Sequence, residues 1–347
     1  MSLVLQDVLE DYRRLDTLTD ADLPDVEVVT HEDWFAPGQM RVIKDLGCFS
    51  FLLYVPLVGD VLLALRLLFA TGKNASLLLN QVDRAPQFAA IINRLLMMRK
   101  RKVVLYDVFI DTPSRMRSLA VKWQVEGAAC NVLFSRYQVG AYMKRFNLPY
   151  PRFAYVPYQA SHSKRPFLDE PYGDYIFAGG NSARDYRTLC EAVRGTGVRV
   201  KVTTTNMDLF AGVELPDEID ITPVVEPAFT QLMAGSRFVV MTLTAGRDRG
   251  YGEQTILNSW WHGRAVVVAD DVSASDYVTE GKDGYVTRPG DAAALRAHIV
   301  DLWNHPEKAE AMGRQGRDRT RTHFHHENFL HRMKMLALLV ARDGGFA

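Results

Sequence analysis

The chain has 347 residues, 48% of them apolar, with 41 basic and 41 acidic side chains. Balanced charge argues against a general nucleic-acid binder, and the length exceeds one compact domain, so two domains of roughly 150 to 190 residues are expected. Cys48, Cys130 and Cys190 lie far apart with no metal-ligand spacing, which predicts a reducing, cytoplasmic setting. The first residues, MSLVLQDVLEDYRRLD, contain acids and no continuous apolar core, unlike a signal or transit peptide.

From residue 26 onward, short β-rich runs alternate with helical patterns. VEVVTH (26–31) reads as a strand, 51–70 as a helix, and ASLLLNQ (75–81) as a strand. Helical periodicity over 85–101 precedes the strand KVVLYDV (102–108), and 114–128 is helical again. CNVLFS (130–135), a helix over 136–146 and FAYVPY (153–158) complete this half. Such alternation predicts a parallel sheet covered by helices. Residues 47–70, GCFSFLLYVPLVGDVLLALRLLFA, are long enough to cross a bilayer, but Pro56, Gly59, Asp60 and Arg66 interrupt them. A buried helix is the first expectation and a monotopic membrane contact the second.

The polar, proline-bearing segment 159–174 reads as an inter-domain linker and hinge. The alternation then restarts with strands at 175–180, 198–204, 218–223, 237–243, 265–270 and 284–287. Helices are predicted over 182–194, 227–235, 273–279, 291–304 and 306–323, with another following the turn at 249–252. A last amphipathic helix, about 326–341, is expected to return to the first domain. The predicted fold class is therefore α/β, with two doubly wound, Rossmann-like domains facing a cleft. The first domain spans 1–158 with the returning helix 326–345, and the second spans 159–325.

Three stretches of the second half place a helix start directly after a strand and a turn, which leaves backbone N–H groups free to meet an anion. FAGGNSARDYRTL (177–189) offers Gly179, Gly180 and Arg184, with Asn181 or Ser182 as the expected N-cap. RGYGEQTILNSW (249–260) offers Gly252, Glu253, Gln254 and Thr255, with Arg247 and Arg249 just upstream. DDVSASDYVTEGKDGYV (270–286) is the third. Each has an ordinary reading too, as a tight turn, a solvated arginine or a favourable charge at a helix N-terminus.

Residues 175–325 resemble the donor-binding domain of GT-B glycosyltransferases, in particular the retaining family 4. The resemblance rests on AGGNSARDYRTLCEAV, on GYGEQTILNSWWHGRAVVVADD, and on SASDYVTEGKDGYVTRPGDAAALRAHIVDLWNHPEKAEAMGRQGRDRTRTHF. In the first half only the β/α rhythm and FAYVPYQ are similar. The resemblance implies transfer of a sugar, with retention, from a nucleotide-diphosphate sugar to a hydroxyl acceptor. It implies a donor site at Gly179, Gly180, Arg184, Arg247, Arg249, Gly252, Glu253, Gln254 and Thr255. The family's second motif glutamate, a ribose contact, falls on Asn258, and its first falls near Gly250.

No cofactor or metal is expected, because arginines and a helix N-terminus suit a leaving diphosphate. Asp107 and Asp111, in YDVFIDTPSR, and His31, in VVTHEDW, are the candidate catalytic residues on the acceptor side, with turn formation as the alternative for the carboxylates. The expected partners are a nucleotide sugar and a hydroxyl acceptor, and no nucleic acid. A lipid-linked acceptor and peripheral contact with the inner membrane face stay open, because NRLLMMRKRK (93–102) joins apolar and basic residues. Two other functions stay open, a sugar-nucleotide 2-epimerase and a non-catalytic sugar-nucleotide-binding scaffold.

Overall fold

A computed structural model describes residues 11–23, 27–30, 57–70, 75–80, 84–96, 102–108, 115–147, 152–247, 249–270 and 272–343. The chain forms two compact units, Met1–Val156 with Leu330–Ala347, and Pro157–Phe329.

In chain order the first unit contains β1 (Glu27–Thr30), α1 (Val58–Ala70), β2 (Ala75–Asn80), α2 (Arg84–Leu95), β3 (Lys102–Tyr106), α3 (Arg115–Gly127), β4 (Cys130–Leu133), α4 (Arg136–Phe146) and β5 (Phe153–Tyr155). The strands are parallel and lie in sequence order, β1-β2-β3-β4-β5. Val103, Val104 and Leu105 are all buried, as a strand with both faces covered requires. Helices α2 and α3 approach closely because Gly127 has no side chain: a Cβ there would collide with the carbonyl of Ala90. Asn93 crosses the same contact, donating from Nδ2 to the Gly127 carbonyl at 2.7 Å. The α4 helix stops at Asn147, whose left-handed backbone (φ 53°) lets its N–H return to the carbonyl of Met143.

Of the apolar stretch 47–70, the described part is residues 57–70. There α1 buries Ala64, Leu67 and Leu68 and leaves Phe69 exposed. Among the described residues no helix is long and apolar enough to cross a membrane.

The second unit contains β6 (Ile176–Gly179), α5 (Tyr186–Val193), β7 (Val200–Thr203), β8 (Ile219–Ile221), α6 (Ala228–Ala234), β9 (Val239–Thr242), α7 (Glu253–Trp261), β10 (Val266–Ala269), α8 (Ala274–Tyr277), β11 (Gly284–Thr287), α9 (Ala292–Asn304) and α10 (Pro306–His323). Its sheet is also parallel, but the order is β11-β10-β9-β6-β7-β8, so the winding direction reverses between β6 and β9. Alternate residues sort onto opposite faces. Ile176, Ala178, Val200, Val202, Val240 and Val267 join one core, while Phe177, Val239, Met241, Val266 and Val268 join the other. Full burial of each Val, Ile, Phe or Met side chain among them is worth about 1.5–3 kcal/mol, which fixes the register of these short strands.

Helix α11 (His326–Asp343) begins in the second unit and from Leu330 belongs to the first. Its buried Arg332 pairs with both Asp16 carboxylate oxygens, at 2.6 and 2.7 Å, and lies over the Tyr12 ring.

Two expectations need correction. The helix after Gly180 starts at Tyr186, not 182: Gly180 and Ala183 both have positive φ, and Asp185 supplies the cap by accepting from the Thr188 N–H at 3.0 Å. Asn181 is no cap, because its side chain bonds Thr204 and Thr205. Residues 159–174 are not a free linker within the second unit. They include a 3-10 turn at Ser161–Lys164, and Arg264 donates to the carbonyl of Glu170 at 2.5 Å.

Candidate functional site

The reversal between β6 and β9 sends the following segments to different sides, which is the arrangement that opens a crevice at the carboxyl ends of parallel strands. The loops after these two strands are joined at their base. The Asp185 N–H donates to the Thr242 carbonyl and the Thr244 N–H to the Ala183 carbonyl, both at 3.0 Å. The Thr242 hydroxyl adds a bond to the Asp185 carbonyl at 2.6 Å.

Arg184 lies in this joint, only 7% exposed. Its guanidinium donates to the carbonyls of Gly179 (2.8 Å) and Ser182 (3.1 Å) and to the Thr255 hydroxyl (3.2 Å). Gly180 makes the placement feasible, since a Cβ there would sit 2.5 Å from the guanidinium. All three acceptors are neutral. Burial therefore lowers the Arg184 pKa, opposed in part by Tyr186 and Glu253 and reinforced by Arg247. A buried cation without a hydrogen-bonded carboxylate favours an anion beside it.

Thr255 belongs to the first turn of α7. Gly252 precedes that helix in the left-handed conformation (φ 87°), a position where a Cβ would strike Met241 Sδ. Gly252 provides no side-chain cap, and the amides of Gln254 and Thr255 have no acceptor among the described residues. Glu253 turns back on its own amide and toward Ser273, in the space left by the missing side chain of Gly250. Burial raises the Glu253 pKa, with Asp270 adding to the shift and Arg249 opposing it.

The upstream arginines differ from one another. Arg247 pairs with the fully buried carboxylate of Asp270 and with the Thr244 carbonyl. Asp270 also accepts the N–H groups of Ser273 and Ala274, each at 2.7 Å, so it organises the start of α8. Arg249 donates to the Gly250 carbonyl and stacks on Tyr251 at 4.5 Å. Asn258, one turn further along α7, has its amide committed elsewhere: it donates to Ser161 Oγ at 3.1 Å and accepts from the His162 N–H at 3.0 Å.

The structure thus brings Gly179, Gly180, Arg184 and Thr255 into direct contact, with Gly252, Glu253 and Gln254 in the same turn. In the first unit, Asp107 follows β3, half-buried and with φ 55°. Asp111 and His31 lie outside the described residues. The sequence reading missed the buried role of Asp270 and the contact between His162 and His262, whose rings approach to 3.0 Å from positions 100 residues apart. Only the cap-like DDVS spacing carried a signal for the former.

No family model matches the chain, and no curated protein matches it by sequence. Solved structures do. TarM matches with a TM-score of 0.60 at 13% identity over 80% of this chain, and this chain spans 57% of the TarM chain's length. HepE of Anabaena, in complex with UDP, matches with a TM-score of 0.59 at 14% identity, over 81% of this chain and 82% of HepE. The fold is GT-B. Sucrose-phosphate synthase from Thermosynechococcus elongatus is a further match, with a TM-score of 0.57 at 15% identity over 75% of this chain and 72% of its own. At these identities the likeness establishes the GT-B fold, two Rossmann-like units in tandem, and the chemistry is argued from the site.

Proposed function

We propose that the chain is a glycosyltransferase moving a sugar from a nucleoside-diphosphate sugar to a hydroxyl acceptor, with the second unit holding the donor. The observation that carries this reading is the buried Arg184 guanidinium, bonded only to neutral acceptors beside the free amides of Gln254 and Thr255. A diphosphate would supply the missing negative charge and the missing acceptors together. The UDP complex of HepE supports the same ligand class.

In this reading Gly179, Gly180 and Gly252 bring the backbone close to the donor. Arg184, Gln254 and Thr255 bind its diphosphate, and Arg247, Arg249 and Glu253 set the surrounding charge. Asn258 acts indirectly, by fixing residues 161–162 against α7. When the sugar–phosphate bond breaks, charge develops on the leaving diphosphate, and preformed donors stabilise that charge without reorganising. No metal is assigned a role in the reaction, and retention is inferred from the resemblance to family 4. Asp107, with Asp111 and His31, is assigned to the acceptor hydroxyl in the first unit. We place the reaction in the cytoplasm; of the stretch 93–102 that left a lipid-linked acceptor and a peripheral membrane contact open, residues 97–101 lie outside the described residues.

The test is turnover. The purified chain is incubated with a panel of labelled nucleotide sugars, with and without hydroxyl acceptors, and free nucleoside diphosphate and labelled product are measured. Acceptor-dependent release of the diphosphate from one donor supports transfer. Epimerised donor, or donor binding without release under every acceptor condition, contradicts it.

A further inference from the structure

Outside the donor site, the second unit contains two histidines whose proton positions are fixed by their neighbours. The Leu168 N–H donates to His262 Nδ1 at 3.0 Å, so this nitrogen carries a lone pair and the proton of the neutral ring sits on Nε2. His262 Nε2 lies 3.0 Å from His162 Nδ1 and must donate to it. The remaining proton of His162 is then on Nε2, facing Thr230 Oγ1 at 3.5 Å and Glu226 Oε1 at 3.8 Å. The Thr230 hydroxyl in turn donates to Glu226 Oε2 at 2.5 Å. The order Leu168, His262, His162, Thr230 and Glu226 is one directed chain of donors and acceptors.

Both contacts tie residues 162–168 to α7. His262 caps the C-terminal end of this helix, and Asn258, one turn earlier, accepts the His162 N–H. Two imidazoles at this spacing also suit a shared metal ion, but among the described residues no group of three metal-ligating side chains surrounds them. The hydrogen bond accounts for the contact by itself.

We propose that His162 and His262 form a proton-released clamp, closed while both rings are neutral, that fastens residues 161–168 to α7. A further proton has only two places to go. On His162 Nδ1 it faces the His262 N–H, and on His262 Nδ1 it faces the Leu168 N–H. Either position sets donor against donor and breaks one of the two bonds, and loss of either releases the whole segment, Leu168 included, from α7. The charges around the pair act in opposite directions. Glu226 favours a proton on His162 and Arg165 opposes it, while Arg264 and Arg317 both oppose one on His262. Burial disfavours the charged form of both rings. The clamp therefore holds at neutral pH and opens on acidification, releasing the segment through which the chain enters the second unit.

Amide exchange of the full-length wild-type chain tests this directly, followed at Leu168 from pH 7 to pH 5. Base-catalysed exchange slows in proportion to hydroxide as pH falls. Below the ordinary histidine pKa, opening linked to one proton grows about tenfold per pH unit. The two trends cancel, so the measured Leu168 rate is expected to stay flat. In His262→Asn the amide oxygen still accepts from Leu168 but cannot titrate, and the rate is expected to fall with hydroxide. A wild-type rate that falls as in the variant overturns the clamp. Should the variant not fold, nitrogen NMR of the wild-type histidines decides: neutral rings protonated on Nε2 at pH 7 are required, and an imidazolium at either position there overturns the proposal.

Discussion

The two units build parallel sheets from the same kind of short, β-branched strands, yet they order them differently. In the first, each described strand is laid beside its predecessor, and in the second, β6 lies in the interior with β7 and β8 on one side and β9 to β11 on the other. Sequential winding stacks each loop beside the last, whereas the reversal separates two neighbouring loops and leaves backbone groups between them. The buried cation, the left-handed glycine and the uncapped helix start all fall at that reversal. Strand content alone therefore does not locate a site; strand order does.

If the units divide the work as proposed, the largest separable effect belongs to the first. Asp107→Asn is expected to lower the transfer rate by about 10²–10⁴-fold while donor binding stays within twofold of wild type. Steady-state kinetics alongside nucleotide titration checks this, and a parallel loss of binding would break the division. In the second unit, Gly252→Ala places a Cβ against Met241 in a backbone conformation that L residues disfavour. A stability loss of about 1–3 kcal/mol is expected by urea unfolding.

A pH effect should come next in size. The His262 pKa is pushed from the ordinary 6.5 down to about 3, chiefly by burial and then by His162. The unfolded chain thus binds a proton that the folded chain refuses, so the stabilisation is complete above about pH 6.5 and is lost as pH falls toward 3. Urea titrations should show a slope of up to about 1.4 kcal/mol per pH unit from this group, absent in His262→Asn. The smallest effect is at Glu253, whose carboxylate competes with a bound anion for the start of α7. Glu253→Gln is expected to tighten nucleoside-diphosphate binding by a few-fold, about 0.3–1 kcal/mol, as a titration would read. Weaker binding would assign Glu253 to the ligand instead.

The fold was largely legible because short continuous apolar runs and β/α alternation are local signals. Val239 to Thr242 and Val266 to Ala269 declare themselves as buried strands without reference to anything distant. The turns were legible in kind: Gly179, Gly180 and Gly252 stand where the backbone comes close to a side chain or takes positive φ. Side-chain destinations were not. Arg184 reads as a first-turn helix residue, but the extra loop created by Ala183 carries it under Gly180. Asn258 stands where the resemblance puts a ribose contact, yet its amide is spent on Ser161 and His162, partners that only the tertiary fold brings near. Strand order escapes sequence reading for the same reason, since β6 and β9 pair across two intervening strands.

The central claim is that a buried arginine at the reversal of the second sheet awaits a diphosphate. Calorimetric titration of the full chain with UDP, GDP and ADP, repeated on Arg184→Met, tests it most directly. Arg184→Met keeps an unbranched side chain of similar length while removing the charge. The account predicts saturable binding of at least one nucleotide by the wild type, weakened by about 10–150-fold in a folded variant, as loss of a charged hydrogen-bonding group implies. Equal affinity in the folded variant, or no binding of any diphosphate by the wild type, would contradict it.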